Sequence, residues 1–428
     1  MGGQLSKIVH AAILCLGTLA LGCNSGGGIR CSFDQPARLA ASSWPKFQRD
    51  LQNTGAIPAP RLHPQAQVRA QFADPSGLPF ASGPVLGNGS ASTTSVDSRV
   101  YVGSASGTLY ALASSTLTPL GSAEFSFSTA SAIRTTPLVA IRQDAEALFF
   151  GNESGFLYAV TQTGSPQPQV WPLNTGGAIG LAPALNPLDG TVYATSAANA
   201  FYGVCPNGVR RFANTSIAAF VSAPAMTPDG KAVYGGDDRI LRMERGDGFL
   251  LWSLSLAAPL RSAPVIELDE EQPETVRAIY AVDTSGRLFK VSAGGQLIYS
   301  TALLDDSRTD TGLVSASPAL RKGRLYVATT AGDVLAVDTG TGTPVWSLSL
   351  GGEVHGSIVV LDHGDGLSIT VPSSDGNIYV VPDLGPAPGG VQALSVGAPV
   401  RTPLAVSVAE ERTALFVSDD AGRVSRLE

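Results

Sequence analysis

Ser317-Pro318-Ala319-Leu320, Leu325-Tyr326-Val327-Ala328, Gly332-Asp333-Val334-Leu335-Ala336-Val337 and Val345-Trp346-Ser347-Leu348 follow one another in a single stretch whose reading decides the fold. Each run is strand-length and rich in β-branched or aromatic residues, and the break Asp338-Thr339-Gly340-Thr341-Gly342 is a turn. The stretch therefore reads as four short antiparallel strands. Its opening proline recurs as Pro84, Pro137, Pro183, Pro224, Pro264, Pro318 and Pro403, with Ile358 filling the one gap. The separations of about 40–54 residues are those of four-stranded propeller blades. A proline at the first residue of a strand loses no ladder bond it needed.

The second strand repeats as Val100-Tyr101-Val102, Val192-Tyr193-Ala194, Val233-Tyr234-Gly235 and Ile279-Tyr280-Ala281, and the third follows a glycine, as in Gly107-Thr108-Leu109-Tyr110 and Gly155-Phe156-Leu157-Tyr158. Two units are degenerate, with Asn199 and Asp237-Asp238-Arg239 where the glycine turn should be. The last copy, Gly422-Arg423-Val424-Ser425-Arg426-Leu427, stops at Glu428 without a fourth strand. Gln67-Val68-Arg69-Ala70-Gln71-Phe72 precedes the first full unit and lacks a blade of its own. Complementary half-units at the two ends favour a closed ring over a solenoid, which would need caps. The expected fold is all-β: an eight-bladed β-propeller of four-stranded antiparallel blades, closed by this N-terminal strand.

Composition agrees. Charged residues are 15% and hydrophobic residues 44% of the 428, with 48 Gly and 29 Pro, which excludes disorder over most of the length. A formal charge of −7 without a basic stripe speaks against a nucleic-acid partner.

The first residues are an address rather than fold. Lys7 precedes an apolar run over 8–20, which ends in Leu19-Ala20-Leu21-Gly22-Cys23. This resembles the bacterial lipobox, and the resemblance implies lipidation of Cys23. Residues 1–22 are then a lipoprotein signal peptide, 23–43 a flexible tether beginning Asn24-Ser25-Gly26-Gly27-Gly28, and 44–428 the propeller. By the same resemblance, the lack of Asp after Cys23 favours the outer membrane of a Gram-negative envelope. Cys31 and Cys205 remain as thiols; pairing and two isolated cysteines are both open readings. The four histidines, 10, 63, 355 and 363, form no zinc pattern.

The unit Ala336-Val337-Asp338-Thr339-Gly340 with Val345-Trp346-Ser347 resembles the pyrroloquinoline-quinone-type propeller repeat, and Trp44-Pro45-Lys46-Phe47-Gln48-Arg49-Asp50 is similar to the segment that often opens such propellers. The resemblance spans the chain from Trp44 onward and is specific for fold more than function. One branch, the quinoprotein dehydrogenases, implies a quinone held between a tryptophan and two adjacent disulfide-bonded cysteines, with a carboxylate-bound calcium. No adjacent cysteines exist here, and Trp171, Trp252 and Trp346 take the repeat's docking position between blades. The other branch, the BamB-type lipoproteins, implies a non-enzymatic envelope module that binds or scaffolds protein partners, carries no cofactor and is held to the membrane through Cys23. The alternatives are a quinone- and calcium-dependent dehydrogenase and a surface adhesin or polymer-binding propeller.

Alignment on the opening proline puts Arg134, Arg261 and His355 at one position before the innermost strand, with Arg401 one residue closer. Innermost strands line the channel, so these four are expected to converge at one mouth, to bind an anionic ligand or partner segment, or each to pair with a local carboxylate. Asp362-His363-Gly364-Asp365-Gly366 is similar to a calcium turn but is one residue short, so a plain turn is expected. Glu267-Leu268-Asp269-Glu270-Glu271-Gln272-Pro273-Glu274 reads as a solvated hairpin loop or a docking loop for a basic partner, as does Asp305-Asp306-Ser307-Arg308-Thr309-Asp310. No catalytic triad, phosphate loop or dinucleotide fingerprint occurs.

Overall fold

The structure, a computed structural model, describes residues 31, 37–89, 97–121, 124–125, 127–165, 171–304, 314–409 and 412–428. Cys23 and the run 305–310 lie outside the described residues. The described chain forms eight antiparallel blades of four strands each, two of which gain a fifth strand. Innermost strands start one or two residues after each opening position: Val85–Gly87, Leu138–Arg142, Ala184–Leu185, Ala225–Met226, Val265–Leu268, Ala319–Arg321, Val359–Asp362 and Ala405–Ala409. Each first residue of these strands is at most 1% exposed. Full burial of a Val or Leu side chain contributes about 1.5–3 kcal/mol, so the inner ring carries much of the core.

Closure follows the expected route. Val68–Ala73 pairs antiparallel with Arg423–Leu427, in register Phe72↔Val424, and becomes the outer strand of the last blade. Phe72 packs edge-on against Tyr110 of the first blade, ring centroids 5.0 Å apart, so the strand also seals the seam between first and last blades.

Two devices repeat between blades. Trp171 donates its indole N–H to Pro206 O, Trp252 to Ala293 O and Trp346 to Asp383 Oδ1, each on the following blade. The tryptophans thus occupy the docking position. A hydroxyl two residues before the opening proline clasps the end of the second strand: Thr135 Oγ1 donates to Gly151 O at 3.0 Å and accepts from Gly151 N at 2.9 Å. Ser82 does the same with Gly103, and Ser222 with Gly235.

The third strand needs a left-handed residue before it. Gly332 has φ +89° and a Cβ there would lie 2.6 Å from Gly352 O, so only glycine fits. In the two degenerate blades Asn199 (φ 58°) and Arg239 (φ 62°) take the same conformation, which explains how those units keep the turn without glycine.

The segment expected as a tether is a correction to the domain reading. Of 23–43, the residues from Ala37 onward are docked: Arg38–Leu39 pairs antiparallel with Leu138–Arg142, Arg38 opposite Ile141. Ala37 and Ala40 are buried, and Ser43 N donates to Asp97 Oδ1 at 2.7 Å. The small side chains of Ala37 and Ala40 let this short run lie close against the innermost strand of the second blade. Upstream, Cys31 is fixed by a disulfide to Cys205, with Cα atoms 5.4 Å apart.

Candidate functional site

The axial channel is filled by the chain itself. Residues 44–55 circle inside it and offer their carbonyls to the inner strands. Leu86 N donates to Trp44 O, Val139 N to Pro45 O, Met226 N to Leu51 O, Ile266 N to Gln52 O, Leu320 N to Thr54 O and Val360 N to Gly55 O, all at 2.6–3.0 Å. Six of the eight inner strands are served, each at its second residue. The inward backbone donors of a propeller need partners, and this segment supplies them.

Polar side chains hold the segment in turn. Lys46 is 1% exposed; its Nζ donates to Phe47 O at 2.5 Å, Asp50 O at 2.8 Å and Asn53 Oδ1 at 2.6 Å. Gln48 Nε2 donates to Pro318 O at 2.8 Å, and Asn53 Nδ2 to Pro224 O at 3.2 Å. Burial pushes the Lys46 ammonium down to about 7, against the Asp50 carboxylate, which favours the charge. The segment's role as a filling was missed at the sequence level. Its signal was three polar residues, Lys46, Gln48 and Asn53, in a stretch otherwise placed next to a core.

At one end of the filled channel the structure brings Arg134, Arg261, His355 and Arg401 together around a cavity of about 210 Å³ floored by Phe47. Each has a carboxylate partner. Arg134 pairs with Glu153, Arg261 Nε with Asp237 Oδ1 at 3.0 Å, His355 Nε2 with Glu353 Oε2 at 3.0 Å and Arg401 Nη1 with Asp420 Oδ2 at 3.1 Å. The arginines are half exposed. The four side chains converge as expected, and of the two roles open to them the structure displays the local pairing with carboxylates. Three guanidiniums and one imidazole against four carboxylates leave the rim close to neutral, and long-range attraction of an anion is cancelled. The rim is a ring of alternating charges.

The opposite mouth holds a cavity of about 300 Å³ between Arg49, Asp50, Glu267, Asp269, Arg321 and Lys322. Glu267 accepts from Tyr280 Oη at 2.7 Å, and Asp269 accepts from Glu271 N and Gln272 N at 3.0 Å. These are the contacts of a structured hairpin loop. Asp362 is bound by Arg321 and Lys322 at 2.7 Å each, and it caps its own turn by accepting from Gly364 N at 2.9 Å. His363 bonds Ala59 O and Ser368 Oγ, both at 2.8 Å. Asp362 to Gly366 is thus a salt-bridged turn, and among the described residues no three His, Cys, Asp or Glu stand as a metal cluster.

Comparison with known proteins places this geometry. The family profile described as outer membrane protein assembly factor BamB, built on the pyrroloquinoline-quinone-type repeat, matches residues 158–380. The chain belongs to this family. No curated protein matches it in sequence. Among solved structures, BamB from Moraxella catarrhalis is similar with TM-score 0.62 and 15% identity, over 85% of this chain and 99% of that one. A europium-containing methanol dehydrogenase is similar with TM-score 0.69 and 13% identity, over 88% and 89%. A quinohemoprotein alcohol dehydrogenase from Comamonas testosteroni has TM-score 0.69 and 11% identity, over 90% and 80%. At these identities the likeness is one of fold.

Pyrroloquinoline quinone, the group implied by the dehydrogenase branch of this BamB-family fold, does not fit the residues present. The sequence has no adjacent cysteine pair, and the disulfide found among the described residues joins Cys31 to Cys205 across 174 positions. Trp171, Trp252 and Trp346 spend their indole N–H groups on neighbouring blades. Trp44 is 1% exposed within the hydrophobic core. Residues 44–55 occupy the channel volume where the inner strands begin.

Proposed function

We propose that this BamB-family propeller is a non-enzymatic cell-envelope lipoprotein, anchored through Cys23 to the outer membrane, that binds or scaffolds protein partners in outer-membrane protein assembly. The observation that carries the reading is the filled channel. With residues 44–55 bound to six of the eight inner strands, ligands are received at the mouths and blade rims, as suits a docking module.

The rim of Arg134, Arg261, His355 and Arg401 is the proposed docking place. Half-exposed ion pairs are worth about 0–1 kcal/mol in water, so a partner carboxylate can replace Glu153, Asp237, Glu353 or Asp420 at little cost. Replacement in a desolvated interface then gains the bidentate geometry of arginine. Specificity would lie in the spacing of the cations around Phe47 rather than in net charge.

The test uses the membrane-bound protein in its own envelope, with a photo-crosslinking residue at Leu181 in the mouth. A reproducible crosslink to one envelope protein, lost in an Arg134→Ala/Arg261→Ala double variant of unchanged melting temperature, is expected. Dye-linked alcohol oxidation by the purified chain supplied with the quinone and calcium would overturn the reading.

A further inference from the structure

Ten large hydrophobic residues are exposed among the described ones, and six of them gather on one face of neighbouring blades: Leu188 (61%), Phe249 (61%), Leu250 (46%), Leu251 (40%), Leu297 (48%) and Ile298 (52%). Scattered singly, such residues would need no explanation. Here they lie on three successive blades. Leu188 lies in the first turn of the third blade, between Ala184–Leu185 and Val192–Ser196. Phe249 immediately precedes the outer strand of the fourth blade, which Leu250 and Leu251 open, and Leu297 and Ile298 open that of the fifth. In an up-and-down blade the first and third turns emerge on the same face, so all six belong to one side of the ring.

Contacts join the pieces. Gly248, before Phe249, lies so close to the Phe212 ring of the third blade that a Cβ would sit 2.7 Å from it. Gly295, before Leu297, lies equally close to half-buried Trp252, 2.6 Å by the same measure. The outer strands of the third, fourth and fifth blades are thus packed side by side where these residues emerge. Arg245 lies over the Phe249 ring, 5.2 Å from its centroid, with its guanidinium paired to Asp247 at 2.6 Å.

The disulfide lies on the same side. Cys205 sits in the third turn of the third blade, between Ala200–Val204 and Arg210–Thr215. Its partner Cys31 touches Thr191 Oγ1 at 3.3 Å, three residues from Leu188. Only eight positions separate Cys31 from Cys23. Fully extended, that length of chain spans at most about 28 Å. A lipid at Cys23 therefore keeps the Cys31 side of this face within about that distance of the bilayer.

We infer that the apolar rim formed by Leu188, Phe249, Leu250, Leu251, Leu297 and Ile298 seats on the lipid surface, so that the Cys31–Cys205 staple and the patch together orient the propeller. The inference rests on Cys23 as the lipid-bearing residue. Seated this way, the Arg134–Arg261–His355–Arg401 mouth, on the opposite side of the ring, points away from the membrane toward partners.

Trp252 reports on the patch directly. The full chain, processed by a lipoprotein-exporting host, is placed on vesicles of phosphatidylethanolamine and phosphatidylglycerol that contain a phospholipid brominated near its headgroup. Loss of the Trp252 emission, taken by difference from Trp252→Phe, is expected. In Phe249→Ser/Leu251→Ser/Ile298→Ser that loss should vanish while the protein stays on the vesicles. Unquenched Trp252 in vesicle-bound protein overturns the inference. The mass of the N-terminal peptide decides the anchor separately. If Cys23 carries no acyl group, the anchor reading fails alone. The same quenching is then read with the chain held by an N-terminal histidine tag on a nickel-chelating lipid, where quenching supports the seat and its absence overturns it.

Discussion

Asp362 shows how opposing effects settle on one carboxyl. Burial disfavours its charge, but hydrogen bonds from Lys322, from Gly364 N–H and from Arg321 outweigh that and hold it down to about 2, from an ordinary 3.8. The sign of the linkage is then determined. A depressed acid contributes stability above its unfolded value, and that contribution is lost as pH falls from about 4 toward 2. A shift of this size corresponds to about 2 kcal/mol. Urea unfolding between pH 6 and 2 should show this decline in the native chain and a smaller one in Asp362→Asn, which is itself less stable at pH 6. Equal pH profiles for the two would remove Asp362 from the account. At this scale the sequence identified a plain turn at 362–366. The two cations that bind it come from Arg321 and Lys322 on the preceding blade, about 40 positions away, and no local pattern announces them. The mouth was legible for a different reason. Arg134, Arg261, His355 and Arg401 occupy equivalent positions in a repeat, and a ring turns equivalence in sequence into proximity in space. Their partners Glu153, Asp237 and Asp420 sit in second turns whose register was equally readable, but pairing them required the blade geometry.

Among the elements, residues 44–55 matter most, because they replace water as the partner of the innermost backbone. Lys46 is the pivot, with three oxygens within 2.8 Å of its Nζ. Lys46→Met keeps the volume but leaves Phe47 O, Asp50 O and Asn53 Oδ1 without that donor, and unsatisfied buried acceptors cost about 1–3 kcal/mol each before relaxation. A net loss of about 3 kcal/mol in denaturant unfolding is expected, with the propeller still folded by circular dichroism. Stability within 0.5 kcal/mol of the parent, roughly the scatter of an innocuous surface change, would show that the filling is held by backbone bonds alone. The closing strand behaved otherwise. Residues 67–72 could be assigned because a blade lacking its outer strand and a strand lacking a blade leave a single consistent pairing. The filling completes no unit of the repeat, and its polar residues find partners only after the ring exists.

The whole ring is stapled by a covalent bond that closes a 174-residue separation. Cross-links over long loops stabilise by about 2–4 kcal/mol, chiefly by restricting the unfolded chain. Cys31→Ser/Cys205→Ser should therefore unfold at lower denaturant by about that amount, with unchanged far-ultraviolet dichroism. No change in midpoint would mean that the bond serves only to position the leash. Spacing could not decide this pairing, since Cys31 precedes the repeat and Cys205 lies within it. What the sequence determined by itself was the number of blades, the strands of each, the closing strand and the residues of one mouth. All of these follow from a repeat of 40–54 residues, because a period is a local property summed around a ring. What only the tertiary structure decided was the filled channel, the docking of Arg38–Leu39, the disulfide, the carboxylate partners of the mouth and the shared face of the exposed apolar residues. Each of these joins segments of unrelated register, and such contacts depend on which side chains and backbone groups the closed ring leaves facing one another.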